Sequence, residues 1–109
     1  GHSSHHPMSI EVYRERPILY GCGDLLNDYE GIRGYEAFRS DLVAMYFPEL
    51  NPATGALQSF VIAPMQIRRL RLQHCSEADV EWMAARLAEQ GRPFGVGVRL
   101  REGRLLLEW

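Results

Sequence analysis

The stretch SEADVEWMAARLAEQG, residues 76–91, determines the class of fold that this chain can adopt. Its first four residues fit the capping-box pattern, in which the Ser76 hydroxyl accepts a hydrogen bond from an amide three residues later. Apolar residues then recur at the helical spacing i, i+3, i+4 and i+7, at Val80, Met83, Ala84 and Leu87. Gly91 is typical of a left-handed stop, and Pro93 prevents continuation. The pattern predicts a helix over residues 77–90 whose apolar stripe packs on the core.

Short β-rich runs on both sides of this helix are paired by the turn residues between them. Three hairpins are predicted: residues 10–13 with 17–22 around 14–16, residues 41–47 with 57–63 around 51–55, and residues 94–100 with 104–109 around 101–103. Pro64 marks either the end of its strand or an edge position. The apolar period of two slips by one at Arg68 and Arg69, which predicts a β-bulge. The fold class is therefore α+β, with β-hairpins that form part of a sheet or sandwich packed with one main C-terminal helix, in a single domain over residues 1–109.

Composition limits the classes of function. A chain of 109 residues with 46% apolar and 24% charged residues is typical of one globular domain. The net charge of −2 gives no general attraction to nucleic acid, and no apolar stretch reaches the roughly 18 residues that a membrane span needs. All 12 basic residues are arginine, which excludes chemistry that depends on a lysine amine. We therefore expect neither a nucleic-acid partner nor a membrane span in this chain.

The chain has four histidines, and three of them lie within its first six residues: His2, His5 and His6. Neutral imidazole is the commonest protein ligand for transition metals, and two histidines three residues apart on a loop can reach one cation. Two ligands alone make a weak site, because a catalytic metal needs three or more protein groups and an open position. A run of histidines is also typical of a purification tag. Two serines interrupt this run and a β-rich segment follows it directly, so we interpret it as native sequence.

Two further groups of residues leave alternatives open. Three arginines lie close together in the sequence and are here called the arginine cluster: Arg68, Arg69 and Arg71. They would either bind an anion or form the solvated face of an edge strand. Such runs are more often solvated. Cys22 and Cys75 are too few for a disulfide framework and are expected to be small buried apolar residues. Cys22 would act as a nucleophile only with a base from the histidine run, and nothing in the sequence specifies that pairing.

Several motifs together resemble the CapA family of bacterial capsule and poly-γ-glutamate synthesis proteins. They are Gly1-His2-x-x-His5, Ile10-Glu11-Val12-Tyr13, Pro17-Ile18-Leu19-Tyr20 and Gly23-Asp24-Leu25-Leu26-Asn27-Asp28, followed by a looser match through the rest of the chain. The resemblance implies a calcineurin-like metallophosphoesterase of αββα architecture, of which this chain is the C-terminal part. It also implies a bacterial protein of the cytoplasm or the cell envelope.

The resemblance also implies roles for individual residues. His2 and His5 are placed in the last metal-ligand loop of such a site, where they would hold a divalent ion of the Mn, Fe or Zn type. His6 lies one position past the match and is a weaker candidate. Asp24 stands where the family often has Asn, which implies a place at the rim of the site or beside the ligands. Asp28 matches the family's acidic residue and would equally form a turn, because Asp favours such positions.

The family's metal-binding carboxylates lie in an N-terminal portion that this sequence does not contain. Two-metal phosphoester hydrolysis needs such carboxylates, so we expect a C-terminal fragment, or one piece of a split molecule, whose partner is the missing N-terminal segment. The predicted function is to contribute histidine ligands to a phosphoesterase-like hydrolase of capsule or poly-γ-glutamate synthesis. The alternative is a non-catalytic polymer- or protein-binding module with a vestigial histidine loop, in which the arginine cluster contacts an anionic polymer. A fragment without activity of its own is the third possibility.

Overall fold

The computed structural model describes residues 7–23, 41–69 and 71–109. Its elements follow in chain order: β1 (Ile10–Tyr13), β2 (Arg16–Leu19), β3 (Leu42–Leu50), β4 (Leu57–Arg68), β5 (Arg71–His74), α1 (Glu77–Gly91), a 3-10 turn (Arg92–Phe94), β6 (Gly97–Arg101) and β7 (Arg104–Glu108). Among these residues β3, β4, β7 and β6 form a sheet in that order, with β5 also beside β4, and β1 and β2 form a two-stranded sheet. The predicted α+β class is confirmed, whereas the αββα architecture stays a prediction.

Strand β4 is the long central strand of the larger sheet. β3 pairs along one of its sides, whereas on the other side β7 pairs near its middle and β5 near its end. The Ile67 amide donates to the Asp41 carbonyl on the β3 side at 2.7 Å, and backbone donors alternate in direction along a strand. The nitrogen of Pro64 therefore faces the interval between β7 and β5, where no described strand pairs with it. The prediction that the strand ends at Pro64 is wrong. The alternative, an edge position, applies to the side of β4 on which β7 and β5 pair.

The segment predicted to hold a β-bulge is a hairpin instead. Arg68 pairs with Arg71, so two residues connect β4 to β5, and Arg69 has a positive φ of 54° of the kind that such turns favour. Across the turn, Ile67 and Leu72 are partners and lie on the same face. The bulge prediction is wrong because the slip in the apolar period reflects a reversal of the chain, not an extra residue in one strand.

The three predicted hairpins are all present, and two of them have shorter turns than expected. Tyr13 pairs with Arg16 and Arg101 pairs with Arg104, so each of these turns has two residues between the paired positions. The residues in the turns have positive φ, which type I′ turns require: Arg14, Glu15, Glu102 and Gly103. In the β3–β4 turn, the Asn51 side chain accepts from the amides two and three residues later, at 2.8 and 3.2 Å.

Helix α1 follows its predicted course but ends differently. The Ser76 hydroxyl accepts from the Asp79 amide at 3.2 Å, and the predicted stripe is buried at Val80, Met83 and Leu87. The prediction of a left-handed Gly91 is wrong, because this residue is right-handed (φ −82°, ψ −14°) and a 3-10 turn ending at left-handed Gly95 follows it. A Cβ on Gly91 would lie 2.7 Å from the Val96 carbonyl oxygen. Glycine at position 91 therefore permits a close approach of two backbone segments.

The core lies between α1 and one face of the larger sheet. Its buried residues form one cluster: Ile10, Leu42, Ala44, Leu57, Phe60, Ile62, Val80, Met83, Leu87, Val96, Leu105 and Leu107. Because β1 contributes to this cluster, apolar burial also holds the small sheet against the larger one. Both cysteines are partly buried and neither forms a disulfide, so burial is less complete than expected for them. No helix in the described part of the chain is long and apolar enough to cross a membrane.

Gly91→Ala is expected to lower the free energy of unfolding by about 1–3 kcal/mol, because the new methyl group would overlap the Val96 carbonyl oxygen. In a helix without such a contact, alanine is more favourable than glycine by roughly 1 kcal/mol. A loss of stability on substitution would therefore show that the close approach to Val96 outweighs the helix propensity of alanine. Gly97→Ala is the matched control, since a Cβ there would meet only Glu108 at 3.9 Å. Urea denaturation measures both variants, and a Gly91→Ala chain as stable as the unsubstituted one would contradict the prediction.

Candidate functional site

The predicted site residues lie in two segments, residues 1–6 and residues 24–28. The described residues that border these two segments lie next to each other. Pro7 and Cys22 form an antiparallel bridge, here called the anchor pair. Beside it the Met8 amide donates to the Gly21 carbonyl at 2.9 Å. The predicted residues lie outside the described ones, before Pro7 or after Gly23: His2, His5, His6, Asp24 and Asp28. The fold therefore brings the starting points of both segments together, and the roles of these five residues stay predictions.

Tyr46 ties the anchor pair to the core of the larger sheet. Its hydroxyl donates a hydrogen bond to the Cys22 carbonyl at 2.8 Å, and its ring meets the buried Phe60 ring edge to face, with centroids 6.1 Å apart. Burial raises the pKa of Tyr46 well above its ordinary value of 10, and the nearby Cys22 raises it further. The hydroxyl therefore stays protonated and remains a donor to Cys22 throughout the physiological pH range.

The β1–β2 hairpin, which leads to the anchor pair, is fixed at its tip and at its base. At the tip, the Glu15 carbonyl accepts from the Leu57 amide at 2.7 Å, and the Arg16 guanidinium donates to the Thr54 carbonyl at 2.8 Å. At the base, Tyr20 stacks on Phe94 with ring centroids 5.4 Å apart. These contacts hold the hairpin against the β3–β4 turn and the 3-10 turn. The anchor pair thus lies beside a supported element.

Tyr20 also makes a hydrogen bond across the small sheet. Its hydroxyl donates to Oε2 of Glu11 at 2.5 Å. This hydrogen bond is the main reason that the pKa of Tyr20 is raised, with smaller contributions from burial and from the Glu11 charge. The bond joins β1 to the residue that follows β2 and so reinforces the strand pair beside the anchor.

The arginine cluster surrounds the β4–β5 turn. All three of its side chains are exposed, and together with Leu72 and Gln73 they line a surface cleft of about 780 Å³. Gln73 is itself fixed by a 3.1 Å hydrogen bond to Gln66 on β4. This arrangement agrees with exposure at the edge of the sheet and leaves both predicted roles, the solvated face and the anion site, in place.

A second cleft, of about 270 Å³, lies where β5 and the β6–β7 turn meet along β4. Its lining includes Met65, His74, Cys75 and Glu102. This grouping is not evident from the sequence, because it depends on the β4–β5 hairpin, which makes Met65 and His74 cross-strand partners. No Gly, Asn or Asp lies between Arg68 and Arg71 to signal this reversal of the chain in the sequence. Among residues 7–23, 41–69 and 71–109, no group of three or more His, Cys, Asp and Glu side chains could hold a metal ion.

Comparisons with known proteins match both the N-terminal segment and nearly the whole length of this chain. The family model described as bacterial capsule synthesis protein PGA_cap matches residues 1–29, a range that contains all five predicted site residues. Probable polyglutamine synthesis accessory proteins from Mycobacterium tuberculosis strains CDC 1551 and H37Rv are each 49% identical to this chain over 106 residues. The alignment covers 97% of this chain and 28% of each relative. This chain therefore spans little more than a quarter of the length of the curated relatives that it matches.

Tyr46→Phe is expected to lower the free energy of unfolding at neutral pH by about 0.5–1.5 kcal/mol, because it removes the hydrogen bond to Cys22. A pKa that is raised in the folded state stabilises the fold below the unfolded value of 10 and loses this effect as the pH rises further. The advantage of Tyr46 over Phe should therefore shrink above about pH 10. Denaturation across pH 7–11 measures it, with Tyr13→Phe as a control because Tyr13 is 53% exposed. A pH-independent difference between Tyr46 and Phe would contradict the pKa argument.

Proposed function

Because this chain belongs to the family of bacterial capsule synthesis proteins, we propose that it serves in the synthesis of a capsule polymer of the poly-γ-glutamate type. The observation that carries the proposal is the family match over residues 1–29. The names of the relatives, polyglutamine synthesis accessory proteins, support it. Since the chain spans 28% of their length, the activity is proposed for the complete protein, to which this chain contributes part of the site.

The proposed site is a divalent-metal site of a phosphoesterase-like hydrolase. His2 and His5 supply imidazole ligands to an ion of the Mn, Fe or Zn type, and such an ion activates water and polarises a phosphoryl group. Two imidazoles are too few for a catalytic centre. The remaining ligands, carboxylates among them, would come from the part of the relatives' sequence that this chain does not match. Asp24 and Asp28 would lie at the rim, where a carboxylate can accept the second N–H of a ligating imidazole and fix its ring.

The anchor pair supports this arrangement because it gives both segments a common base. Pro7 and Cys22 form a bridge. The histidine segment before Pro7 and the aspartate segment after Gly23 are therefore joined to the fold side by side. Tyr46 then connects that base to the core through its 2.8 Å hydrogen bond to Cys22. Metal ligands need to be held within a few tenths of an ångström of their working geometry, and support from packed strands serves that need better than a long loop.

Replacing His2 and His5 together by Ala is expected to weaken metal binding by the complete protein by more than about tenfold, since even the loss of an indirect partner costs that much. The matched control is His74→Ala, which removes a histidine exposed on β5. Elemental analysis of tag-free protein, purified with Mn, Fe or Zn supplied in turn, gives the metal bound per molecule. The ligand assignment would be wrong if the double variant bound as much metal as the His74→Ala control.

A second function, polymer binding without catalysis, is supported by the arginine cluster. The three guanidinium groups are exposed around one turn and line one cleft. Guanidinium groups form bidentate, charge-assisted hydrogen bonds with carboxylates, and poly-γ-glutamate presents a carboxylate on every unit. In this alternative the histidine segment has no catalytic role, and the chain holds the polymer at its surface.

Changing the arginine cluster to Gln is expected to weaken binding to immobilised poly-γ-glutamate by about threefold to a hundredfold, from roughly 0.2–1 kcal/mol for each exposed charge pair. The salt concentration that releases the protein should fall accordingly. The control variant makes the same change of charge at other exposed arginines, namely Arg14, Arg92 and Arg101. If both triple variants lose retention equally, net charge accounts for the binding and the cluster is not the site.

A further inference from the structure

Two glutamine amides lie next to the arginine cluster on the β4–β5 hairpin. Arg68 pairs with Arg71, and two residues further along the strands Gln66 pairs with Gln73. Directly paired residues share one face of a sheet, and so do residues two apart on one strand. Gln73 also lines the cleft of about 780 Å³ together with the arginine cluster. A ligand held there by guanidinium groups therefore lies within reach of the Gln73 amide.

Two successive hydrogen bonds fix the orientation of the Gln73 amide. The carboxylate of Asp41 only accepts hydrogen bonds, so Gln66 meets it with its amide nitrogen, and Nε2 of Gln66 donates to Oδ2 of Asp41 at 2.8 Å. The amide oxygen of Gln66 is left for Gln73, whose Nε2 donates to it at 3.1 Å. Gln73 therefore uses its nitrogen towards Gln66, and its Oε1 atom is the end of the amide that can accept from a ligand.

The cleft thus combines two kinds of polar group. The guanidinium groups of the arginine cluster donate hydrogen bonds and cannot accept them, whereas Oε1 of Gln73 accepts. A polymer that carries only acceptors, such as polyphosphate or polyacrylate, satisfies the arginines and leaves Gln73 Oε1 to water. A polyamide with a carboxylate on every unit satisfies both, because its carboxylates bind the guanidinium groups and its amide N–H donates to Oε1.

We infer that Gln73 is a specificity-determining residue of this cleft, which selects an anionic polyamide over other polyanions by accepting a hydrogen bond from its amide N–H. The inference rests on the proposed binding of poly-γ-glutamate by the arginine cluster, and it adds a group that recognises this polymer by more than its charge. Each unit of poly-γ-glutamate carries a carboxylate and an amide N–H on the same carbon atom. Both groups of one unit therefore lie close enough together for adjacent side chains of the cleft to bind them.

The experiment measures the affinity of the complete natural protein for two end-labelled polymers by fluorescence anisotropy at one salt concentration. The polymers are poly-γ-glutamate and polyacrylate with the same number of carboxylates. Gln73→Leu removes the acceptor and leaves every charge in place. It is expected to weaken binding of poly-γ-glutamate by about twofold to tenfold, as the loss of one neutral hydrogen bond does, and to leave binding of polyacrylate unchanged. Gln58→Leu is the matched control and should change neither affinity, because Gln58 is exposed on β4 outside the cleft.

The second polymer separates recognition of the amide from a structural effect. Equal weakening of both polymers by Gln73→Leu would mean that the cleft is distorted, and it would overturn the role of Gln73 as an acceptor. Unchanged binding of poly-γ-glutamate would overturn that role as well, whereas the proposed polymer binding would stand if the arginine-to-Gln variant still lost affinity. If the unsubstituted protein bound neither polymer, the proposed polymer binding would itself be wrong, and the inference with it.

Discussion

The two-sided pairing of β4 is the constraint on which the rest of the structure depends. β3, β5 and β7 pair with it directly, and β6 is reached through β7. The residues of β4 that face α1 include Phe60 and Ile62, which are almost completely buried, so the same strand also supplies the centre of the core. A strand in this position cannot slip by one residue, because a slip would exchange its buried and exposed faces. The registers of its three neighbours therefore fix where every turn and cleft of the sheet lies.

Local signals in the sequence were sufficient for the helix and for three of the hairpins, and they failed where the pairing or close approach of two backbone segments decides. The helix was predictable because a cap at Ser76 and a four-residue apolar stripe act within the helix itself. At Arg68 and Arg69, a bulge and a two-residue turn give the same slip in an apolar pattern, and only the pairing of Arg68 with Arg71 distinguishes them. Gly91 looked like a left-handed stop, whereas its close approach to Val96 involves a segment that a helical pattern does not contain.

Part of the candidate site was likewise evident from the sequence, and part of it depends on contacts between residues that are far apart in the chain. The His2 and His5 spacing and the Asp24–Asp28 segment were visible in the sequence and are contained in the family match over residues 1–29. The support beneath them was not predictable, because the bridge from Pro7 to Cys22 and the hydrogen bond from Tyr46 join residues 15 and 24 positions apart. The cleft with Met65 and His74 escaped prediction for a related reason, since it exists only once β5 has turned back along β4.

Tyr46 shows how a core can set the position of a site that is built on flanking segments. Its ring packs on Phe60, so the side chain cannot move without opening a cavity in the core. Its hydroxyl is partly buried and donates to the Cys22 carbonyl, and leaving such a group without a partner costs about 1–3 kcal/mol. Movement of the anchor pair away from β3 would incur that cost, whichever ligands the flanking segments carry. The place where the histidine and aspartate segments begin is therefore determined by the packing of β3 and β4.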